Sequence, residues 1–382
     1  MQEALRNGRV LTPEGLVTGR AVLIEGGRIR AVVAEGDASL RGIAAVDLEG
    51  RLLLPGFIDT QVNGGGGVLF NDSPTVEGIR TIGAAHRRFG TTGFLPTLLS
   101  DDLTVLKRAI EAVDAAIAAG VPGVLGIHIE GPFISEARKG VHDPAHFLEL
   151  DHDMVALLSS LKRGTTMMTL APEVTSPGVI QRLAAAGVIL SAGHTNATAE
   201  EVEAARRHGL RGFTHLFNAM SQMSARAPGA VGAALADPDS YCGLIVDGKH
   251  VDPRVLRVAL NAKRHDRFML VTDAMPSVGT EERTFQLQGR TITVVDGYCV
   301  DEQGTLAGTA LDMASAVRNA IELLGVPLEE AARMAGEYPA EFLRRGSDLG
   351  RIAPGFRADL VAADEDLTVR ATWIAGQHAG SA

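Results

Sequence analysis

Four residues able to bind a metal or move a proton stand at the ends of apolar runs: Glu130 in GIHIEGP, His194 in SAGHTNAT, His215 in FTHLFNAM and Asp273 in LVTDAM. A carboxylate or imidazole in such surroundings is costly unless it is paired. One carboxylate and two imidazoles form a donor set that suits zinc and leaves a fourth position open for water. Asp273 has the chemistry of a general base beside that position. Any one of these residues alone reads more simply as a hydrogen-bonded group of the interior. Their recurrence at the same end of four runs carries the metal reading. His128 shares a face with Glu130 two residues away, and reads as a hydrogen-bonded support rather than a ligand. Cys242 and Met275 read as packing or pocket-lining residues.

The elements that would position these groups follow from the periodicity. The first fifty residues are short alternating runs punctuated by glycine, a β pattern. From Leu52 onward eight apolar strand-like runs appear, over 52–63, 93–98, 124–130, 165–171, 188–194, 212–216, 241–247 and 268–273. Stretches of helical period, such as 103–119 and 199–208, separate most of them. The pattern predicts a TIM-like (β/α)8 barrel, whose site lies at the C-terminal ends of its strands. A hairpin region over 284–300 and two helices within 311–345 follow. After Gly350 the β pattern returns. Neither terminal segment can bury a core alone, so residues 1–51 plus 352–382 are expected to form one small β-sandwich domain beside a barrel of residues 52–351.

Composition narrows the partners. With 46 acidic against 36 basic residues the net charge is −10. No Lys/Arg-rich block is present, which argues against nucleic acid and anionic membrane as partners. Cys242 and Cys299 fit no CxxC spacing, so neither a disulfide framework nor a thiolate metal site is expected. No run has the length of a membrane span, and MQEALRNGRVLTPEG lacks the apolar stretch of a signal peptide. A cytoplasmic location is the expectation. Gly64 to Gly67 is no nucleotide loop, because the Lys and Ser/Thr that would follow are missing.

Six segments in order, PGFIDTQVNGGGG (55–67), HIEGPF (128–133), GHTNAT (193–198), THLFNAM (214–220), DGKHV (247–251) and VTDAM (271–275), resemble the N-acetylglucosamine-6-phosphate deacetylases of the amidohydrolase superfamily. They span the whole expected barrel. The resemblance implies one divalent metal held by Glu130, His194 and His215, with Asp273 as general base. Where many amidohydrolases carry His-x-His, this chain has Gln61-Val62-Asn63. Neutral amides are poor zinc ligands, so a mononuclear site is implied, with Gln61 and Asn63 turned to the substrate side. The resemblance also places His142 near the reacting amide and assigns His250 and Arg226 to a sugar phosphate, reached from the neighbouring subunit of a homodimer. Asn218 and Ala219 become substrate donors, and Leu306-Ala307-Gly308-Thr309 a loop lining the site through Ala307. Zinc fits the donor types, as iron, manganese or cobalt would. The alternatives left open are N-acetylgalactosamine-6-phosphate as substrate, a different amidohydrolase reaction, and a barrel that has lost catalysis.

Overall fold

In the computed structural model, which describes residues 2–151 and 154–380, the run expected as one strand over 52–63 is two strands, Leu52–Pro55 and Phe57–Val62. They part at Gly56, where a Cβ would lie 2.0 Å from the Thr92 hydroxyl. Leu52–Pro55 pairs with Arg9 and Val10 and with Leu360–Ala363, so it belongs to the small β domain. The division between the two units therefore falls at Gly56 rather than after residue 51.

The barrel strands are β1 (Phe57–Val62), β2 (Thr91–Leu99), β3 (Gly126–Glu130), β4 (Thr165–Leu170), β5 (Ile189–Ala192), β6 (Leu210–Phe213), β7 (Tyr241–Leu244) and β8 (Phe268–Leu270). Each pairs in parallel with the next, and a parallel bridge between Val62 and Ala274 joins the first strand to the segment after the last. A helix lies in each of the seven connections, from Val76–Arg87 to Pro253–Ala262. Strands buried on both faces read as continuous apolar runs, which is why their positions were predictable.

The three strands that lead into His194, His215 and Asp273 end earlier than expected, and β7 likewise stops at Leu244 rather than at residue 247. β5, β6 and β8 stop two or three residues before His194, His215 and Asp273, which take φ of 47°, 33° and 53°. Left-handed backbone cannot continue a strand, and it is uncommon for residues with a Cβ. Its concentration at these positions is typical of functional sites.

After β8 comes an antiparallel four-stranded sheet (Thr284–Leu287, Arg290–Val295, Tyr298–Val300, Leu306–Thr309), larger than the expected hairpin. Its Leu287, Ile292, Val294 and Cys299 pack with Leu69, Leu99, Val141 and Met275 on the barrel rim. Three helices follow, not two: Met313–Leu324, Leu328–Ala335 and Glu337–Phe342, separated at Gly325 and Gly336. The small domain is one mixed sheet of eight strands drawn from Gln2–Pro55 and Leu360–Gly380. Among the described residues no helix is long and apolar enough to cross a membrane.

Candidate active site

The ends of β3, β5 and β6 bring Glu130, His194 and His215 to one point. Nε2 of His215 is 3.0 Å and Nε2 of His194 3.3 Å from Glu130 Oε1, and the two imidazole nitrogens are 3.2 Å apart. His194 Nδ1 faces the carbonyl of Arg138 at 2.9 Å. A carbonyl only accepts, so Nδ1 carries a proton and donates, and the ring turns Nε2 towards Glu130 and His215. Burial pushes the Glu130 carboxyl up, but hydrogen bonds and charge from both histidines outweigh it and hold the group well below the usual carboxylate range. The donor set and its convergence fit one small divalent cation.

Asp273 lies half-buried beside this cluster. Burial, then the charge of Glu130, raises its carboxyl to about 6. Gln61 and Asn63 meet it: Asp273 Oδ1 accepts from Gln61 Nε2 at 3.0 Å and from Asn63 Nδ2 at 2.7 Å. Gln61 Nε2 also lies 3.2 Å from each Glu130 oxygen. Of these amides, expected at the substrate, Gln61 meets both carboxylates and Asn63 meets Asp273, because β1 runs between β2 and the Asp273 segment. The backbone of that segment is fixed on both flanks, by Asn63 N–H to Ala274 O (2.9 Å) and Thr309 N–H to Asp273 O (3.0 Å).

His142 is buried, and burial together with the neighbouring His194 lowers its pKa to about 3, so the ring is neutral. The Ser100 amide donates to its Nδ1 (3.3 Å), and the Ser100 hydroxyl lies 2.7 Å from the same atom. An N–H can only donate, so Nδ1 is the acceptor and the ring proton sits on Nε2. The ring packs edge-on against His194 with centroids 4.4 Å apart. His128 is inside the barrel, between Thr97 Oγ1 (3.2 Å) and Thr169 Oγ1 (2.7 Å), and burial brings its pKa to about 4. These two hydroxyls hold it beneath the cluster of Glu130, His194 and His215, of which it is not a member.

A cavity of about 610 Å³ collects Glu130, His142, His194, His215, Asn218, Ala219, His250 and Asp273. Its volume lies in the range of small-molecule sites. His250 lines it, with Nδ1 2.6 Å from Asp247 Oδ2. Arg226 does not line this cavity; it lies on the exposed stretch between Met220 and the helix Gly229–Ala236. Asn218 Nδ2 donates to the His215 carbonyl (3.1 Å), which leaves its oxygen for a ligand. Leu306 and Gly308 line the cavity, whereas Ala307 is buried in the rim cluster. The expected loop is a strand, and alternate side chains of a strand face opposite ways. At Gly308 a Cβ would sit 2.7 Å from the Asp273 carbonyl, so only glycine fits there. Ser100, the Arg138 carbonyl and Gln288 also shape the site without any signal in the sequence, since they act through contacts between distant segments.

The amidohydrolase family model matches residues 52–379. The chain is 47% identical over 325 residues to an N-acetylgalactosamine-6-phosphate deacetylase of Shewanella sp. (strain ANA-3), covering 85% of this chain and 82% of that one. It is 36% identical over 380 residues to the N-acetylglucosamine-6-phosphate deacetylase of Haemophilus influenzae, covering 99% of each. The crystal structure of N-acetylglucosamine-6-phosphate deacetylase from Pasteurella multocida superposes over 100% of both chains with a TM-score of 0.96 at 34% identity. With Glu130, His194, His215 and Asp273 gathered at the C-terminal ends of its barrel strands, the chain belongs to the amidohydrolase family.

Proposed function

We propose that this protein is a metal-dependent deacetylase that hydrolyses N-acetylglucosamine-6-phosphate to glucosamine-6-phosphate and acetate. The observation that carries the reading is the meeting of a three-ligand cluster with a separately held carboxylate in one cavity. Glu130, His194 and His215 would hold one divalent ion, zinc by donor type, with iron, manganese and cobalt able to use the same atoms. When bound, such an ion polarises a carbonyl and acidifies water.

The chain's own residues do the rest. Asp273, with Oδ1 held by two amides, offers Oδ2 to take a proton from the attacking water. The neutral His142 donates from Nε2 towards the acetamide oxygen as negative charge develops there. Asp273 then returns the proton to the nitrogen, because an amine leaves only when protonated, and the C–N bond breaks. His250, the Asn218 oxygen and the backbone at Ala219 would bind the sugar phosphate. Arg226, exposed and outside its own cavity, would reach the phosphate of a neighbouring subunit in a homodimer, as a guanidinium fork suits that group. Two buried free cysteines fit a cytoplasmic enzyme.

A second reading, N-acetylgalactosamine-6-phosphate as the preferred substrate, is favoured by the 47% identical relative of that name. Acetate release from both sugar phosphates, and from phosphate-free N-acetylglucosamine, separates them, run before and after chelation and zinc return. Chelator-sensitive activity confined to N-acetylglucosamine-6-phosphate is the expected result. No activity with any of the four metals would discard the reading.

A further inference from the structure

Gln288 occupies the first position of a two-residue hairpin turn: Leu287 pairs with Arg290, and Gln288 and Gly289 have φ of 49° and 77°. Turns of this kind favour Asn, Asp or Gly. Glutamine is a poor choice for the turn, but its extra methylene lets the carboxamide reach two backbone groups far away in sequence. Its Nε2 donates to the Ser100 carbonyl at 2.7 Å, and its Oε1 accepts from the Asp143 amide at 3.0 Å. Ser100 is the residue that holds His142 Nδ1, and Asp143 is the next residue after His142. One side chain thus bridges the support of the ring and the backbone that carries it.

We infer that Gln288 is a positioning residue, which fixes the separation between Ser100 and His142 and so keeps the His142 Nε2–H aimed at the reacting carbonyl. The inference rests on the deacetylase reading and deepens it. It also gives the inserted sheet a role: its first turn clasps the catalytic loops, while its last strand supports Asp273 through Thr309.

Gln288→Asn tests it, because asparagine suits the turn better yet is too short to span both groups. The variant is expected to melt no lower than the wild type and to lose hydrogen-exchange protection at the Asp143 amide. Its kcat should fall about tenfold to a hundredfold, as small misplacements of a catalytic group do, while KM stays within about threefold. In a His142→Gln background the same change should add no more than about a twofold loss, since a residue acting through His142 is not additive with it. Gln288→Glu, which keeps length and the acceptor for Asp143, guards against a folding defect and should show a partial loss of kcat. Wild-type kcat in Gln288→Asn, unchanged exchange at Asp143, or an additive loss with His142→Gln would overturn the proposal. If the wild type itself releases no acetate from either sugar phosphate, the deacetylase reading fails, while exchange at Asp143 still decides whether the clasp exists.

Discussion

At Asp273 two influences oppose each other. Burial and the charge of Glu130 push its carboxyl up to about 6, whereas the amides of Gln61 and Asn63 favour the ionised form by donating to it. A base works only when ionised, and the ionised fraction falls as pH drops through the pKa. Activity should therefore be lost on the acid side, with a limb in kcat/KM at about 6 or lower, since a cation beside Glu130 pulls the value down. A pH–rate profile flat to pH 4 would remove Asp273 from the role. Asp273→Asn keeps the shape but cannot take a proton. It should retain bound metal, as read by elemental analysis, and lose about 10²–10⁴-fold in kcat; an active variant would sink the assignment. Gln61 shows what a neutral amide does at this place: its Nε2 lies within reach of both Glu130 and Asp273, while Asn63 donates to Asp273 alone.

At the level of elements, the strands place the groups and the short segments after them aim the groups. The apolar runs marked every barrel strand, and a polar residue closing a run marked each cluster member. The early ends of β5, β6 and β8 were not legible, because an apolar pattern carries no record of φ, and His194, His215 and Asp273 leave the strand through left-handed backbone. The break at Gly56 did have a signal, a glycine inside a strand run, as did the alternation that turns Ala307 away from the cavity. Gln288 had none, because its partners lie far off in sequence and a hydrogen bond of that span has no periodicity. Beneath the site a polar layer links β3, β4 and β5 to the residue that follows β6: His128 Nε2 to Thr169 Oγ1 (2.7 Å), Thr169 to Thr214 (2.6 Å) and Thr214 to Ser191 (2.9 Å). Thr169→Val keeps the shape but leaves His128 Nε2 without its partner in a buried setting, while Thr214 keeps Ser191. A loss of about 1–3 kcal/mol in urea denaturation is expected, and a variant as stable as the wild type would show that the layer contributes nothing.

Across the whole molecule the small sheet and the barrel share a strand. In Leu52–Pro55, Leu52 and Leu54 pack in the barrel core while Leu53 packs with Leu5, Leu360 and Trp373 in the core of the small domain. The same strand runs into β1 with only Gly56 between them, and Gly56 N–H is bonded to Asp359 O at 2.8 Å. Arg87, from the first barrel helix, donates to the Thr372 hydroxyl at 3.0 Å. Losing the barrel would thus strip one face of the small sheet, so the two should unfold together. The chain has one tryptophan, Trp373, which is fully buried in the small domain and reports on that unit alone. Far-UV circular dichroism is dominated by the barrel. The thermal transitions seen by the two probes should coincide. A metal that binds only the native barrel stabilises it by mass action, by about 2.7 kcal/mol at a hundredfold excess over Kd. Chelation should therefore lower both midpoints equally, although Trp373 lies outside the metal site. A tryptophan transition that ignores the chelator would show instead that the small sheet unfolds on its own, and that the shared strand does not couple the two cores.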